Sequence, residues 1–152
     1  KLNPIDLNSA LSEVLESVQP LAQKKNIHLS YKASAMDHKV RADKHLLRRA
    51  IQNILDNAIK YSPSGTIVTI ELTESQHNLQ LKVTDQGLGI KPEEIKNIFT
   101  PFYKTPHKPT NGESSTGLGL ASVASILKAH QGEIEVSSQP GVGSCFTIHL
   151  PK

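Results

Sequence analysis

The sequence predicts an α+β fold: a two-layer α/β sandwich with a mixed, largely antiparallel sheet and helices packed on one face. Two stretches, Thr66 to Thr73 and Asn78 to Asp85, alternate apolar and polar residues across a turn near Ser75-Gln76-His77, the pattern of a half-buried hairpin. Two others, after Asp6 and after Asp43, repeat apolar residues at helical spacing. The order of these elements along the chain suits a mixed sheet with its helices on one side.

Asp6 can cap a first helix carrying Leu7, Leu11, Val14, Leu15, Val18 and Leu21, which Pro20 should bend or end. Ile27 to Tyr31 and Lys39 to Ala42 read as short strands. Asp43 then caps a stronger helix running to about Tyr61, stopped by Ser62-Pro63-Ser64-Gly65. A short helix is expected after Pro92. From Pro101 to Thr116 the chain carries Pro101, Pro106, Pro109 and Gly112 among Thr, Ser, Asn and Lys, with little apolar content after Tyr103, and reads as a mobile loop. A helix from about Leu118 to His130 should end at Gly132 as its C-terminal cap. Two last strands, Glu133 to Ser137 and Ser144 to Leu150, flank the turn Pro140-Gly141-Val142-Gly143.

At 152 residues the chain has the length of one domain, 1–152, with room for a core, and 37% hydrophobic residues is an ordinary share for a water-exposed fold. No apolar run approaches the roughly 20 residues that span a bilayer, so no membrane contact is expected of this domain. The only methionine is Met36 and no signal peptide opens the chain, which reads as an excised or processed domain. The single cysteine, Cys145, excludes an internal disulfide and suits a reducing compartment. A net charge of +3, dispersed basic residues, and only three Tyr and three Phe argue against nucleic acid as a partner.

Three features carry chemistry. In the strand ending at Asp85, Leu79, Leu81 and Val83 share a face, and period two places the Asp85 carboxylate on that apolar face. A carboxylate there is costly unless paired. Gly87 and Gly89 follow at once, allowing a sharp turn or close approach to a ligand. Either Asp85 bonds to its own loop, or an apolar pocket receives a donor such as the exocyclic amine of adenine. On the second helix, about 100° per residue puts Asn53, Asn57 and Lys60 within an arc of about 60°, beside the apolar arc of Leu47, Ile51, Ile54 and Ala58. Amide oxygens can ligate Mg²⁺ and a lysine can meet phosphate, although a solvated polar face has the same pattern. Finally, Ser114-Ser115-Thr116-Gly117-Leu118-Gly119-Leu120 places glycines at a helix start, where free N–H groups attract anions. No G-K-[ST] follows, so it is not a Walker loop.

In this order the pieces resemble the catalytic ATP-binding domain of sensor histidine kinases, within a superfamily that includes DNA gyrase, certain chaperones and mismatch-repair ATPases and shares the Bergerat-type fold. Gln52 to Ser62 resembles the N box, Asp85 to Ile90 the first glycine box, and Ile98 to Lys104 the F box. Gly117 to Leu120 resembles the second glycine box and Gly141 to Phe146 the third, so the resemblance covers essentially the whole chain. It implies Asn57 as the Mg²⁺ ligand, Lys60 as a phosphate contact, and Lys104 as the basic residue reaching the terminal phosphate. Asp85 would accept from the adenine amine, in a pocket shaped by Gly87 and Gly89 and walled by Ile90, Tyr61, Leu120 and Phe146, with Ser144 at the base. Thr116, Gly117, Leu118 and Gly119 would approach the phosphates, and 101–116 would form the ATP lid.

The resemblance also separates kinase from hydrolase. Water-activating members carry Glu where this chain has Asn53, and an amide cannot take a proton from water at neutral pH. In the family the phosphorylated histidine is followed by an acidic residue, and none of the seven histidines here is. The implied activity is therefore transfer of the γ-phosphoryl group to a histidine on a separate helical dimerisation domain, then to a response-regulator receiver domain, in a cytoplasmic setting. Two alternatives share the nucleotide fold: a serine kinase of the anti-sigma type, and a nucleotide-sensing module without transfer.

Overall fold

The computed structural model describes residues 2–33, 38–75, 77–100 and 119–152. In chain order the elements are β1 (Asn3–Asp6), α1 (Leu7–Lys24), β2 (His28–Ala33), β3 (Lys39–Ala42), α2 (Lys44–Lys60), β4 (Ile67–Glu74), β5 (Asn78–Asp85), α3 (Pro92–Ile95), α4 (Gly119–Ala129), β6 (Glu133–Gln139) and β7 (Gly143–Pro151). Five strands form one sheet in the order β2-β4-β5-β7-β6, and β1 pairs with β3 in a separate ribbon. Only β2 and β4 run parallel; the other pairs of the main sheet are antiparallel. A parallel neighbour needs a crossover, and the stretch containing α2 supplies it.

Alternation decides which face is covered. Val68, Ile70 and Leu72 on β4, Leu79, Leu81 and Val83 on β5, and Phe146, Ile148 and Leu150 on β7 are buried in one cluster with the apolar faces of α1, α2 and α4. The intervening residues, such as Thr69, Lys82 and Thr147, lie on the other, more open face. This is the mixed two-layer arrangement that the hairpin and helix patterns predict.

Both capping aspartates act as expected. Asp6 Oδ1 accepts from the Asn8 N–H (3.0 Å) and Asp43 Oδ1 from the Leu46 N–H (3.1 Å). Pro20 does not end α1, which continues to Lys24. Pro20 and Glu16 are both exposed, so the Glu16 carbonyl that Pro20 cannot bond faces water. Leu21, expected on the apolar face, is 38% exposed, and Ala22 is buried in its place. Beyond Val18 the i+4 position, rather than i+3, meets the core. The β1–β3 ribbon is not anticipated in the sequence, because β1 has four residues, one of them Pro4, and too little pattern to register. At the end of α4 the left-handed residue is Gln131 (φ 59), not Gly132. Gly132 is needed for space instead, since a Cβ there would lie 2.4 Å from the His149 carbonyl oxygen.

Two buried polar side chains fix α2 at its ends. At its start, the Asp43 N–H donates to His130 Nε2 (3.0 Å), while His130 Nδ1 lies 2.8 Å from the Ile126 carbonyl oxygen. Nε2 is thus the acceptor and Nδ1 carries the proton, which ties the end of α4 to the start of α2. At its other end, Lys25 Nζ donates to the carbonyls of Ile59 and Lys60, each at 2.8 Å. A cation at a helix C-terminus meets the negative end of the dipole and satisfies carbonyls that the helix leaves unpaired. Lys25 is only 4% exposed, so water cannot replace it. Replacing Lys25 with Met, which keeps the stem and removes the donors, should lower the unfolding free energy by about 2 kcal/mol or more in urea titration. An unchanged midpoint would show that the cap contributes nothing.

Candidate functional site

The end of β5, the start of β7 and the end of β6 lie side by side in the sheet, and the loop after β5 comes against the C-cap of α2 at Tyr61. Asp85 lies at the last position of β5, opposite Ser144 on β7, and is 7% exposed. Its Oδ1 accepts from the backbone N–H of Gly87 (2.9 Å) and of Ser144 (3.2 Å). The carboxylate is thus bonded to its own loop, one of the two alternatives the sequence leaves open, and to the facing strand, through one oxygen only. Among the described residues Oδ2 has no hydrogen-bond partner. Burial pushes the Asp85 carboxyl above the usual carboxylate range, and the bonds from Gly87 and Ser144 offset only part of that.

The glycines around it are there for space. A Cβ on Gly87 would lie 2.5 Å from the Tyr61 carbonyl oxygen and 2.9 Å from Asp85 Oδ1, so Gly87 brings the first glycine box against the C-cap of α2. Gly89 takes φ 75, and a Cβ there would lie 2.1 Å from the Gln139 carbonyl oxygen. Its neighbour Leu88 accepts from the Gly141 N–H (2.8 Å), which locks the loop after β5 to the β6–β7 turn. Ile90 (9% exposed) and Phe146 (2%) belong to the core cluster, and Leu120 packs against that cluster.

On α2 the stripe is present as read. Asn53, Asn57, Lys60 and Tyr61 are all half-buried beside the buried residues Ile54, Ala58 and Ile59. Asn53 Nδ2 donates to the Gly119 carbonyl (3.3 Å), which joins the N box to the first residue of α4. Asp56, on the same helix, accepts from Gln52 Nε2 (3.2 Å), and burial raises its carboxyl against the pull of that bond and of Lys60. Among the described residues no cluster of three His, Cys, Asp or Glu side chains could hold a metal alone. A half-buried Asn57 offers one neutral oxygen, which fits an ion that keeps waters and borrows phosphate oxygens, as Mg²⁺ does. Lys104, Thr116, Gly117 and Leu118, and with them the expected lid 101–116, lie outside the described residues.

One residue escaped the sequence reading. Ser138 Oγ accepts from the Ile90 N–H (2.7 Å), donates to the Gly143 carbonyl (3.0 Å) and lies 2.8 Å from Ser144 Oγ. A serine in an alternating strand carries no local signal. Only the register that sets Ser138 opposite Ser144 reveals it.

Residues 42–152 match the family described as histidine kinase-, DNA gyrase B- and HSP90-like ATPase. The chain belongs to that family. It is 35% identical over 151 residues to the sensor-like histidine kinase SenX3 of Mycolicibacterium smegmatis, covering 99% of this chain and 39% of SenX3. Among solved structures it is similar to the mycobacterial sensor histidine kinase MprB, with a TM-score of 0.86 and 30% identity over 99% of this chain and 97% of that one. Full-length ShkA in complex with AMPPNP is similar with a TM-score of 0.85 and 28% identity, over 99% of this chain and 31% of ShkA. The chain thus carries the ATPase-type catalytic domain found in named sensor histidine kinases and spans well under half the length of SenX3 and ShkA. Among the described residues no helix is long and apolar enough to cross a membrane.

Burial of Asp85 makes the stability of the fold depend on pH. A carboxyl raised in the fold contributes stability below its ordinary range and loses it as pH rises through the raised value. Without ligand, D85N should therefore gain stability relative to the unmodified chain as pH rises from the ordinary carboxylate range toward neutrality. Denaturant titration of both chains across that window checks this, and a difference that stays flat with pH would contradict it.

Proposed function

We propose that this chain is the ATP-binding catalytic domain of a two-component sensor kinase, supplying the γ-phosphoryl group to a histidine on a separate helical dimerisation domain. The observation that carries the reading is Asp85: a buried carboxylate with Oδ1 engaged and Oδ2 unpaired among the described residues, beside a glycine cradle and the apolar Ile90 and Phe146. An adenine has an amine for that oxygen and flat apolar faces for those walls. The similarity to SenX3 and MprB supports a kinase, and that to the AMPPNP complex of ShkA supports the nucleotide.

Within this reading ATP supplies the phosphoryl group, and Mg²⁺ neutralises charge on its phosphates. Asp85 accepts from the base and so selects it; Gly87, Gly89, Ile90, Tyr61, Leu120, Ser144 and Phe146 shape and line the base pocket. Asn57 holds the metal, and Lys60 and Lys104 meet phosphate as point charges. Asn53 sits in the same stripe, with Thr116, Gly117, Leu118 and Gly119 on the phosphate side. Asn53 does not take a proton from water, so hydrolysis is slow for want of a base at that position. The accepting imidazole comes from elsewhere in this reading, because none of the seven histidines here is followed by the acidic residue that the family's phosphorylated histidine has, and His130 is buried and bonded at both nitrogens. The onward partner is a response-regulator receiver domain, and the setting is cytoplasmic.

Incubating the chain with ATP, Mg²⁺ and a sensor-kinase dimerisation fragment should leave acid-labile phosphate on that fragment. Acid-stable phosphate on serine would mean a different kinase, and none at all would refute transfer. In calorimetry D85N should weaken ATP by about 1.5–3 kcal/mol, the worth of a hydrogen bond to a charged group. GTP, with a carbonyl where adenine has its amine, should bind the unmodified chain poorly. Equal affinities for ATP and GTP would remove Asp85 from the base. Alone, the chain should hydrolyse ATP far below about 1 per second. N53E should raise that rate slightly, although it also gives up the bond from Asn53 to Gly119.

A further inference from the structure

Ser138 is placed where three parts of the site meet. It lies on β6, directly opposite Ser144 of β7, and Ser144 in turn lies opposite Asp85 of β5. The Ser144 N–H holds Asp85 Oδ1, the Ser144 hydroxyl meets Ser138, and Ser138 holds the Ile90 N–H at the end of the glycine loop. One hydroxyl thus connects the third glycine box with the end of the first.

The proton count is informative. Ser138 Oγ has one hydrogen and two lone pairs. The Ile90 N–H takes one lone pair. With the hydrogen on the Gly143 carbonyl, the contact with Ser144 requires Ser144 to donate, and Ser144 then presents lone pairs to its surroundings. When Ser138 turns its hydrogen to Ser144 instead, the Ser144 hydrogen is released to donate. The pair can therefore meet a donor or an acceptor, directly or through water, with both hydroxyls still bonded and only the Gly143 carbonyl giving up a partner.

We infer that Ser138 is a positioning residue of the nucleotide site, holding the Ile90 amide and the Ser144 hydroxyl in place for the base end of a purine nucleotide. This rests on the ATP-binding reading above. Ser138 touches no ligand in this role. It acts by removing the freedom of the 87–90 loop and of Ser144 before binding, so that less order is left to impose when the ligand arrives. A group that only held the sheet together would affect unfolding and leave affinity alone.

The test is calorimetry of the unmodified chain, S138V and S138T with Mg-ATP and Mg-ADP, well below each unfolding midpoint. Val and Thr have nearly the same volume and differ in the hydroxyl. S138V should bind both nucleotides roughly tenfold more weakly and by the same factor, because the loss is at the base end. S138T should stay within about twofold of the unmodified chain, since its hydroxyl can make the same bonds. On an S144A background S138V should cost clearly less than it does alone, since part of the coupling is already gone. Exchange of the Ile90 amide should be faster in S138V. An S138V affinity within about twofold of the original, whatever its melting temperature, overturns the proposal, as does a loss for ATP that ADP does not share. If S138V does not fold, S138A is read by the same comparison. Failure of the underlying reading shows separately, as an unmodified chain that binds neither nucleotide.

Discussion

The bonds from the Gly87 and Ser144 N–H groups to Asp85 Oδ1 are made where water cannot stand in for them, at a residue 7% exposed on the apolar side of the sheet. Much of the local geometry follows from that placement. For Gly87 to reach back two residues, the chain must turn hard against α2, and only glycine leaves room for the Tyr61 carbonyl. For Ser144 to reach across, β7 must lie beside β5 in the register that pairs Asp85 with it. The third glycine box and the first, far apart in sequence, are neighbouring strand ends in space.

A site assembled from strand ends needs a fixed opposite wall, and α2 is fixed at both termini by groups from other elements. His130, at the end of α4, accepts from its N-cap residue, and Lys25, just past α1, caps its last carbonyls. The two anchors come from the two helices that flank it. Rotation of α2 by one residue would carry Asn53, Asn57 and Lys60 about 100° out of their present arc. The helix therefore cannot drift without breaking a buried polar bond at one end or the other.

How much of this was legible in the sequence depended on whether the signal was local. The Asp85 anomaly was visible because a strand's period is two and one residue broke it. The α2 stripe was visible because helical spacing fixes an arc. Capping by Asp6 and Asp43 was legible for the same reason, as each acts on N–H groups two or three residues away. What stayed hidden was set by tertiary partners. Ser138 matters through a cross-strand neighbour, Lys25 through a helix 34 residues on, and His130 through one 87 residues back. Lysine at 25 reads as an ordinary helix end, and no pattern marks it as buried. Gly132 stands where a helix-ending glycine is expected but does not make the turn. Gln131 takes the left-handed conformation, and the glycine clears the His149 carbonyl.

The bond from Asn53 to Gly119 bears on how the proposed chemistry is divided. An amide can both donate to that carbonyl and keep an oxygen for other use, whereas a carboxylate would set negative charge against the carbonyl at 3.3 Å unless protonated. In the proposed function the residue that stands in place of a general base is therefore also one that bonds α2 to the start of α4. Exchanging it for glutamate alters the helix junction as well as the chemistry, so a change of activity from transfer to hydrolysis would require the start of α4 to be rebuilt around the new charge. In the proposed function this leaves the chain with recognition and positioning only: a carboxylate for the base, amides and lysines for metal and phosphate, and no proton acceptor of its own. The nucleophile must then bring its own activation, which is what an imidazole beside an acidic neighbour on another domain would provide.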